Sequence, residues 1–248
     1  MFRNNQMQRL IGKNTIVLGG GTGIGLGIAR AFASEGANVM IGGRREEKLR
    51  QAIADCEFPI ACQAVDVADR NSMQQFFAAA FQSMPRIDIL VNSAGINIKT
   101  RTMSEMTPEQ WDEVLQVNAT GAYNAMYQVL PKMRQQGDGL IINISSVAGK
   151  RAIALGGIAY CASKFAMTAL GTAVGNEDAK HGIRVTNIYP GEVETPLLDK
   201  RPQPVSAERR ATMLQPADVA ELAVTIASLP ARAHVPELVI KPTVQEFC

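Results

Sequence analysis

Tyr160 and Lys164 stand four positions apart in Tyr160-Cys161-Ala162-Ser163-Lys164, the spacing that brings two side chains onto one face of a helix. A free phenol titrates at about 10 and is a poor proton shuttle at neutral pH unless a neighbouring cation stabilises its phenolate. Lys164 supplies such a cation. With it, Tyr160 could give a proton to a carbonyl oxygen or take one from an alcohol. Alone, such a pair is more often two surface residues, so its weight depends on what else the chain places nearby.

A second chemistry-bearing segment is Gly19-Gly20-Gly21-Thr22-Gly23-Ile24-Gly25. An apolar run precedes it, and Ile28, Phe32 and intervening alanines follow, so a strand enters the turn and a helix leaves it. Glycines let the backbone approach a pyrophosphate, and the helix offers free N–H groups and the positive end of its dipole. A structural glycine turn is the alternative; the flanking strand and helix favour a dinucleotide. Sheets of this kind often carry an acid roughly twenty residues later for the adenosine ribose. Here no carboxylate occurs from Gly36 to Arg45, and Arg44 and Arg45 instead offer guanidinium forks to a 2′-phosphate. NADP(H) is therefore expected in preference to NAD(H); a solvated pair beside Glu46 and Glu47 is the other use of these arginines.

These residues must be positioned by short β-branched runs alternating with longer segments of helical period. Strands are predicted at Thr15–Leu18, Asn38–Ile41, Ile60–Val65, Ile87–Val91, Gly139–Ile144, Arg184–Ile188 and Leu238–Ile240. Helices are predicted at Gly25–Glu35, Glu46–Ala54, Arg70–Met84, Pro108–Arg134, Ala159–His181 and Ala217–Ser228. Thr107, Pro108 and Gln110 read as a capped helix start. The pattern is α/β: a doubly wound, Rossmann-like parallel sheet of about seven strands with helices on both faces. Seven strands in one sheet make residues 1–248 one domain, with the Pro-studded stretch 196–216 as a substrate lid or an ordinary surface excursion.

Composition narrows the chemistry. The 248 residues, 46% apolar and 19% charged, suit an ordinary globular protein rather than a disordered, fibrous or coiled-coil one. Lys plus Arg exceed Asp plus Glu by only two, so a small molecule is the expected partner rather than nucleic acid or an anionic membrane. Cys56, Cys62, Cys161 and Cys248 show no CxxC spacing and no accompanying His pair, so no metal site or redox dithiol is expected. Reduced thiols fit a cytoplasmic protein. Residues 1–13 carry Arg3, Arg9 and Lys13 but no apolar core of leader length, and the longest apolar run, Phe76–Phe81, is too short to span a bilayer.

Three further polar segments follow predicted strands: Asn92-Ser93-Ala94-Gly95, Asn143-Ile144-Ser145-Ser146, and Tyr189-Pro190-Gly191 with Thr195 beyond. Ligands of open parallel sheets bind outside the carboxyl ends of the strands, so these segments converge on one edge. With five motifs in order, essentially the whole chain resembles the classical short-chain dehydrogenase/reductases. The resemblance implies that Gly19, Gly23 and Gly25, with Gly21, Thr22 and Ile24, form the cofactor turn, and that Asp66 and Val67 meet the adenine. Asn92, Ala94 and Gly95 match the family's NNAG turn; Pro190, Gly191, Val193 and Thr195 match the segment holding the nicotinamide carboxamide. Asn118, Ser146, Tyr160 and Lys164 match the catalytic set. Leu18 and Ser93 depart from the usual Thr and second Asn, positions that bear on turn bonding more than on catalysis. The implied reaction passes hydride between nicotinamide and a carbonyl carbon while Tyr160 protonates the oxygen and Ser146 hydrogen-bonds it. Lys164 would hold the nicotinamide ribose and depress the Tyr160 pKa. Asn118 would anchor a water carrying protons onward, or simply bond backbone at a helix kink. Ser145 reads as the structural serine.

His181 and His234 are too scattered for a metal site, Cys161 reads as packing, and Trp111 as core. Substrate choice rests on Glu192, Val193, Glu194 and the lid. Arg201, Arg209 and Arg210 could meet a carboxylate or phosphopantetheine, although such charges usually face water. The ending Pro236–Thr243 looks like that of dehydrogenases for small 3-hydroxy acids and serine, which points to a small 3-hydroxy acid or 3-oxo compound. A broad carbonyl or 3-oxoacyl reductase is the enzyme alternative, and a non-catalytic nucleotide-binding regulator the alternative from another class. Family members usually pair long helices as dimers or tetramers; Ala122, Ala125, Met126, Ala166 and Gly171 are expected to permit that approach, with a homotetramer as one outcome.

Overall fold

The seven strands are β1 (Asn14–Leu18), β2 (Asn38–Gly43), β3 (Ile60–Ala64), β4 (Ile89–Asn92), β5 (Gly139–Ile144), β6 (Ile183–Pro190) and β7 (Glu237–Ile240). They form one sheet in the order β3-β2-β1-β4-β5-β6-β7, every pair parallel. This computed structural model describes residues 8–246, so Arg3 and Cys248 lie outside the described residues. Strand order reverses between β1 and β4, and the crevice at that reversal is where open α/β sheets take their ligands.

Among the described residues the sheet is accompanied by eight α-helices: α1 (Gly23–Ser34), α2 (Glu46–Ile53), α3 (Arg70–Ser83), α4 (Pro108–Leu115), α5 (Gly121–Gln136), α6 (Ile158–Asp178), α7 (Ala207–Ala211) and α8 (Pro216–Ala227). Successive strand residues point to opposite faces. Val17 and Ile41 therefore pack with Ile28, Phe32, Val219 and Val224 in one apolar layer. Ile16, Leu18 and Met40 pack with Phe76, Phe77, Val129 and Met133 in the other. Burial on both faces explains why the strands read as nearly continuous apolar runs.

The predicted helix from Pro108 to Arg134 begins as expected, with Thr107 and Gln110 closing a capping box. It is then interrupted by a π turn at Gln116–Thr120, after which α5 resumes. Wide turns of this kind appear mostly as local insertions and often at functional sites. Trp111 is 38% exposed rather than core, because α4 is short and turns only Val114 fully inward. The predicted helix to His181 ends instead in a 3₁₀ turn, Ala179–His181, where His181 bonds Asp178 at 3.1 Å.

A ladder of amides ties the sheet to α6. Register aligns Asn92, Asn143 and Asn187 on β4, β5 and β6. Asn92 Nδ2 donates to Asn143 Oδ1 and Asn143 Nδ2 to Asn187 Oδ1, each at 2.9 Å. Gly171 lies directly over this ladder, where an added Cβ would fall 2.5 Å from Asn143 Nδ2. So Gly171 serves the interior of the chain, and Ala122, Ala125 and Met126 are also buried within it. The exposed aromatic residues of these helices are Tyr123, Tyr127 and Phe165, with the two tyrosine rings stacked at 6.1 Å.

Residues 196–216 are more tethered than a free loop. They hold a 3₁₀ turn, Pro196–Lys200, and the short α7. Val193 bridges to Leu214. Glu192 takes both Arg201 and Arg209, at 2.6 and 2.7 Å, and Glu194 takes Arg210 at 2.6 Å. The three arginines expected to face water are therefore held in ion pairs, because two acids from the end of β6 reach them.

Candidate active site

Two adjoining clefts open at the carboxyl edge of the sheet. The first is lined by Gly19, Gly21, Thr22, Arg44, Arg45, Asp66, Val67, Ala94 and Gly95, all predicted, and by Lys48, Ile96 and Val117, which were not. Its floor is backbone. Gly19 adopts φ +79°, where an added Cβ would sit 2.5 Å from Ala94 N. Gly25 would drive a Cβ into the carbonyl of Gly19. Only glycine permits this close turn. Thr22, the N-cap of α1, makes no side-chain cap hydrogen bond, so the first-turn N–H groups have no acceptor from it. A glycine cradle, uncapped helix start and three cations together fit an anionic dinucleotide. Lys48 belongs with Arg44 and Arg45 because the first turn of α2 carries it back beside them; its spacing from Arg44 was the available signal.

The second cleft has a volume of about 140 Å³, small beside the roughly 300–1,000 Å³ of drug-sized sites. Ile24, Ser146, Tyr160, Pro190, Gly191, Val193 and Thr195 line it as predicted. Asn97, Arg101 and Leu155 line it too and were not foreseen as site residues, while Leu198 lines it from the predicted lid stretch. Tyr160 sits in the first turn of α6, whose N-cap Gly157 has φ +79°. Burial pushes the Tyr160 hydroxyl up, opposed first by a hydrogen bond with Ser146 and, through space, by Arg101. The expected pull by Lys164 is not among these effects. Its Nζ lies 5.7 Å from the phenol ring and donates to Ile144 O at 2.8 Å, and burial without a counter-ion lowers its pKa to about 8.

Five predicted residues, Gly23, Gly25, Asn92, Asn118 and Lys164, line neither cleft. Asn118, fully buried at the π turn, accepts from Ile96 N at 2.8 Å and donates to Ile96 O and Ser163 Oγ at 2.9 and 3.0 Å. Its side chain is thus a brace for the loop after β4, the backbone-bonding alternative. A Cβ on Gly95 would lie 3.5 Å from both Asn118 Oδ1 and Lys164 Nζ, so the two groups flank that glycine. Asn92 is 3% exposed, spends its amide on the ladder and lines neither cleft. Its effect on a ligand would be through the turn it holds. Gly23 instead lies against Thr195, where a Cβ would come within 3.1 Å of the Thr195 methyl. Ser145 bonds Lys164 O at 3.2 Å. Cys161 is buried and turned to Ile153 O.

A doubly wound sheet with a glycine cradle beside a Tyr, Ser and Lys cluster defines a Rossmann-like nucleotide-binding fold with an oxidoreductase-type site. The chain belongs to the short chain dehydrogenase family, whose sequence profile matches residues 13–205. It is 35% identical over 198 residues to a 3-oxoacyl-acyl-carrier-protein reductase of Thermotoga maritima, covering 79% of this chain and 80% of that one. Among solved structures it is similar to a closed serine dehydrogenase complexed with NADP+, with 28% identity, a TM-score of 0.87 and coverage of 94% and 96%. It is also similar to a Brucella melitensis 3-ketoacyl-(acyl-carrier-protein) reductase complexed with NADH, with 28% identity, a TM-score of 0.85 and coverage of 94% and 98%. The protein is thus an oxidoreductase by family. No helix among the described residues is long and apolar enough to cross a membrane.

Proposed function

We propose that the protein is an NADP(H)-dependent oxidoreductase interconverting a small 3-oxo acid and its 3-hydroxy acid. The observation that carries this reading is the meeting of Tyr160 and Ser146 in a small cleft that adjoins the glycine cradle. When bound, the nicotinamide supplies or accepts the hydride. The chain does the rest. Tyr160 holds the proton at its hydroxyl oxygen and delivers it to the carbonyl oxygen, which the Ser146 hydroxyl also hydrogen-bonds. Lys164 keeps an ammonium beside the phenol and holds the ribose hydroxyls; its pKa of about 8 leaves it mostly protonated at neutral pH. Asn118 fixes the loop that carries Gly95 and steadies the proton path from Lys164. Arg44 and Arg45, with Lys48, support NADP(H), because no carboxylate stands where it would bond a free ribose hydroxyl and repel a phosphate. The two neighbours named above carry NADP+ and NADH respectively, so the local charges carry the choice.

NADPH absorbance followed with a panel of small 3-oxo acids, neutral ketones and a 3-oxoacyl thioester tests the reading. Oxidation driven best by the small acids supports it. Turnover of the thioester alone favours a 3-oxoacyl reductase, and tight NADPH binding with complete inertness favours a regulator. The exposed Tyr123, Tyr127 and Phe165 support a homo-oligomer, dimer or tetramer; light scattering that gives a monomer at assay concentration would exclude it.

A further inference from the structure

Arg101 lies in the loop between β4 and α4 and is 9% exposed. No carboxylate among the described residues pairs with it. Its partners are three carbonyl oxygens: Nε donates to Ile98 O at 2.9 Å, Nη2 to Lys200 O at 2.9 Å, and Nη1 to Leu155 O. These come from its own loop, from the segment before α6 and from the turn after β6. Gly157 makes room for it, since a Cβ there would fall 2.6 Å from Arg101 Cβ. The fold has therefore placed a cation where it must be desolvated and has given it only neutral partners. A buried charge without a counter-ion is strongly penalised, and a hydrophobic residue of similar volume would fill the same space without that penalty.

A guanidinium has five N–H groups, and the three carbonyls use one on each nitrogen. Two remain, one on each terminal nitrogen, donors enough for the two oxygens of a carboxylate. Arg101 and Tyr160 line the same cleft, and burial together with the neighbouring Arg201 draws the Arg101 guanidinium below its ordinary range. Of the charged side chains lining that cleft, Arg101 and Arg201 are cationic and Glu192 is anionic. Glu192 is already shared between Arg201 and Arg209. The wall keeps a positive charge with nothing to neutralise it.

We infer that Arg101 is the anion-binding residue of the substrate cleft, receiving the carboxylate of a small oxo or hydroxy acid on its two unbonded N–H groups while Tyr160 meets the reacting oxygen. This deepens the proposed function and rests on it for the identity of the reaction. It also sets specificity: an ester or amide of the same acid leaves the guanidinium buried without a counter-ion.

The test compares a 3-oxo acid with its methyl ester by NADPH oxidation, in the wild type and in Arg101→Met and Arg101→Lys. The wild type should favour the acid by about 10- to 100-fold in kcat/KM, as expected for one charged bidentate contact. Arg101→Met should bring that ratio near one, mainly through KM, and Arg101→Lys should hold it between the two. A brace without an anion role predicts that acid and ester fall together with the ratio kept, which would overturn the inference. If Arg101→Met does not fold, a wild-type ratio near one overturns it equally. Calorimetric titration of malonate into the wild type with NADP+ present separates this inference from the reaction class. Malonate binding without any turnover would overturn the proposed reaction and leave the anion site standing. Turnover of neutral ketones without malonate binding, or binding of inorganic phosphate in its place, would overturn the carboxylate site and leave the reaction.

Discussion

The nucleotide cleft and the substrate cleft share an edge of the sheet but are made in opposite ways. The first is made from short stretches of chain, each close behind a strand: Gly19 to Thr22, then Arg44 to Lys48, then Asp66 and Val67. Each stretch follows its strand by a few residues, so local spacing alone places it. The second is made of side chains from distant segments. Arg101 meets Leu155 and Lys200, and Glu192 meets Arg201 and Arg209. A cradle that reads an invariant pyrophosphate can be local, whereas a pocket that reads one substrate is assembled by tertiary contact. Changes to the second should therefore alter rate and specificity, and changes to the first should alter cofactor affinity.

The largest expected effect falls in the substrate cleft. Tyr160→Phe should lower turnover by about 10²–10⁴-fold, the usual worth of general acid catalysis, while NADPH binding followed by fluorescence stays intact. Ser146→Ala should follow, with a loss of about 10²–10³-fold in kcat for one missing donor to the developing oxyanion. Loss of cofactor affinity in either variant would erase the contrast between the clefts.

In the nucleotide cleft, Arg44→Ala should weaken NADPH by about 10- to 100-fold through lost charged hydrogen bonds, and should leave NADH affinity unchanged. Equal effects on both cofactors, or none, would return Arg44 to the solvent. The smallest effect concerns Lys164, which lines neither cleft but stands behind Gly95. In the unfolded chain its amine titrates at the ordinary 10.5, and in the fold burial lowers it to about 8. Between those values the unfolded state binds more protons, so this group makes stability rise with pH across the window and fall as pH drops through about 8. Denaturant melts of Lys164→Met should show that rise flattened; an unchanged slope would mean that Lys164 is not desolvated.

The contrast also explains what the sequence made legible. Parallel strands buried on both faces announce themselves as apolar runs, and the Gly19–Gly25 turn, Tyr160 and Ser146 sit at fixed offsets from those runs or from a helix start. The π turn at Gln116–Thr120 carries no such mark, because its residues are compatible with an ordinary helix; only the buried polar Asn118 hinted at a kink. Arg101 was invisible for a different reason. In Lys99-Thr100-Arg101 it resembles solvated charge, and its burial depends on loops that lie dozens of residues away. Gly171 misled for a related reason, since a small residue on a helix looks alike whether it faces a second copy or the Asn143 and Asn187 amides.

One dinucleotide should span both clefts and present its reactive ring to Tyr160. A crystal structure with NADP+ tests it most directly. The expected result is the 2′-phosphate against Arg44, Arg45 or Lys48 and the nicotinamide beside the Tyr160 hydroxyl, with the Lys164 amine on its ribose. A nicotinamide directed away from Tyr160, or an adenosine end outside the Arg44 cleft, would contradict it.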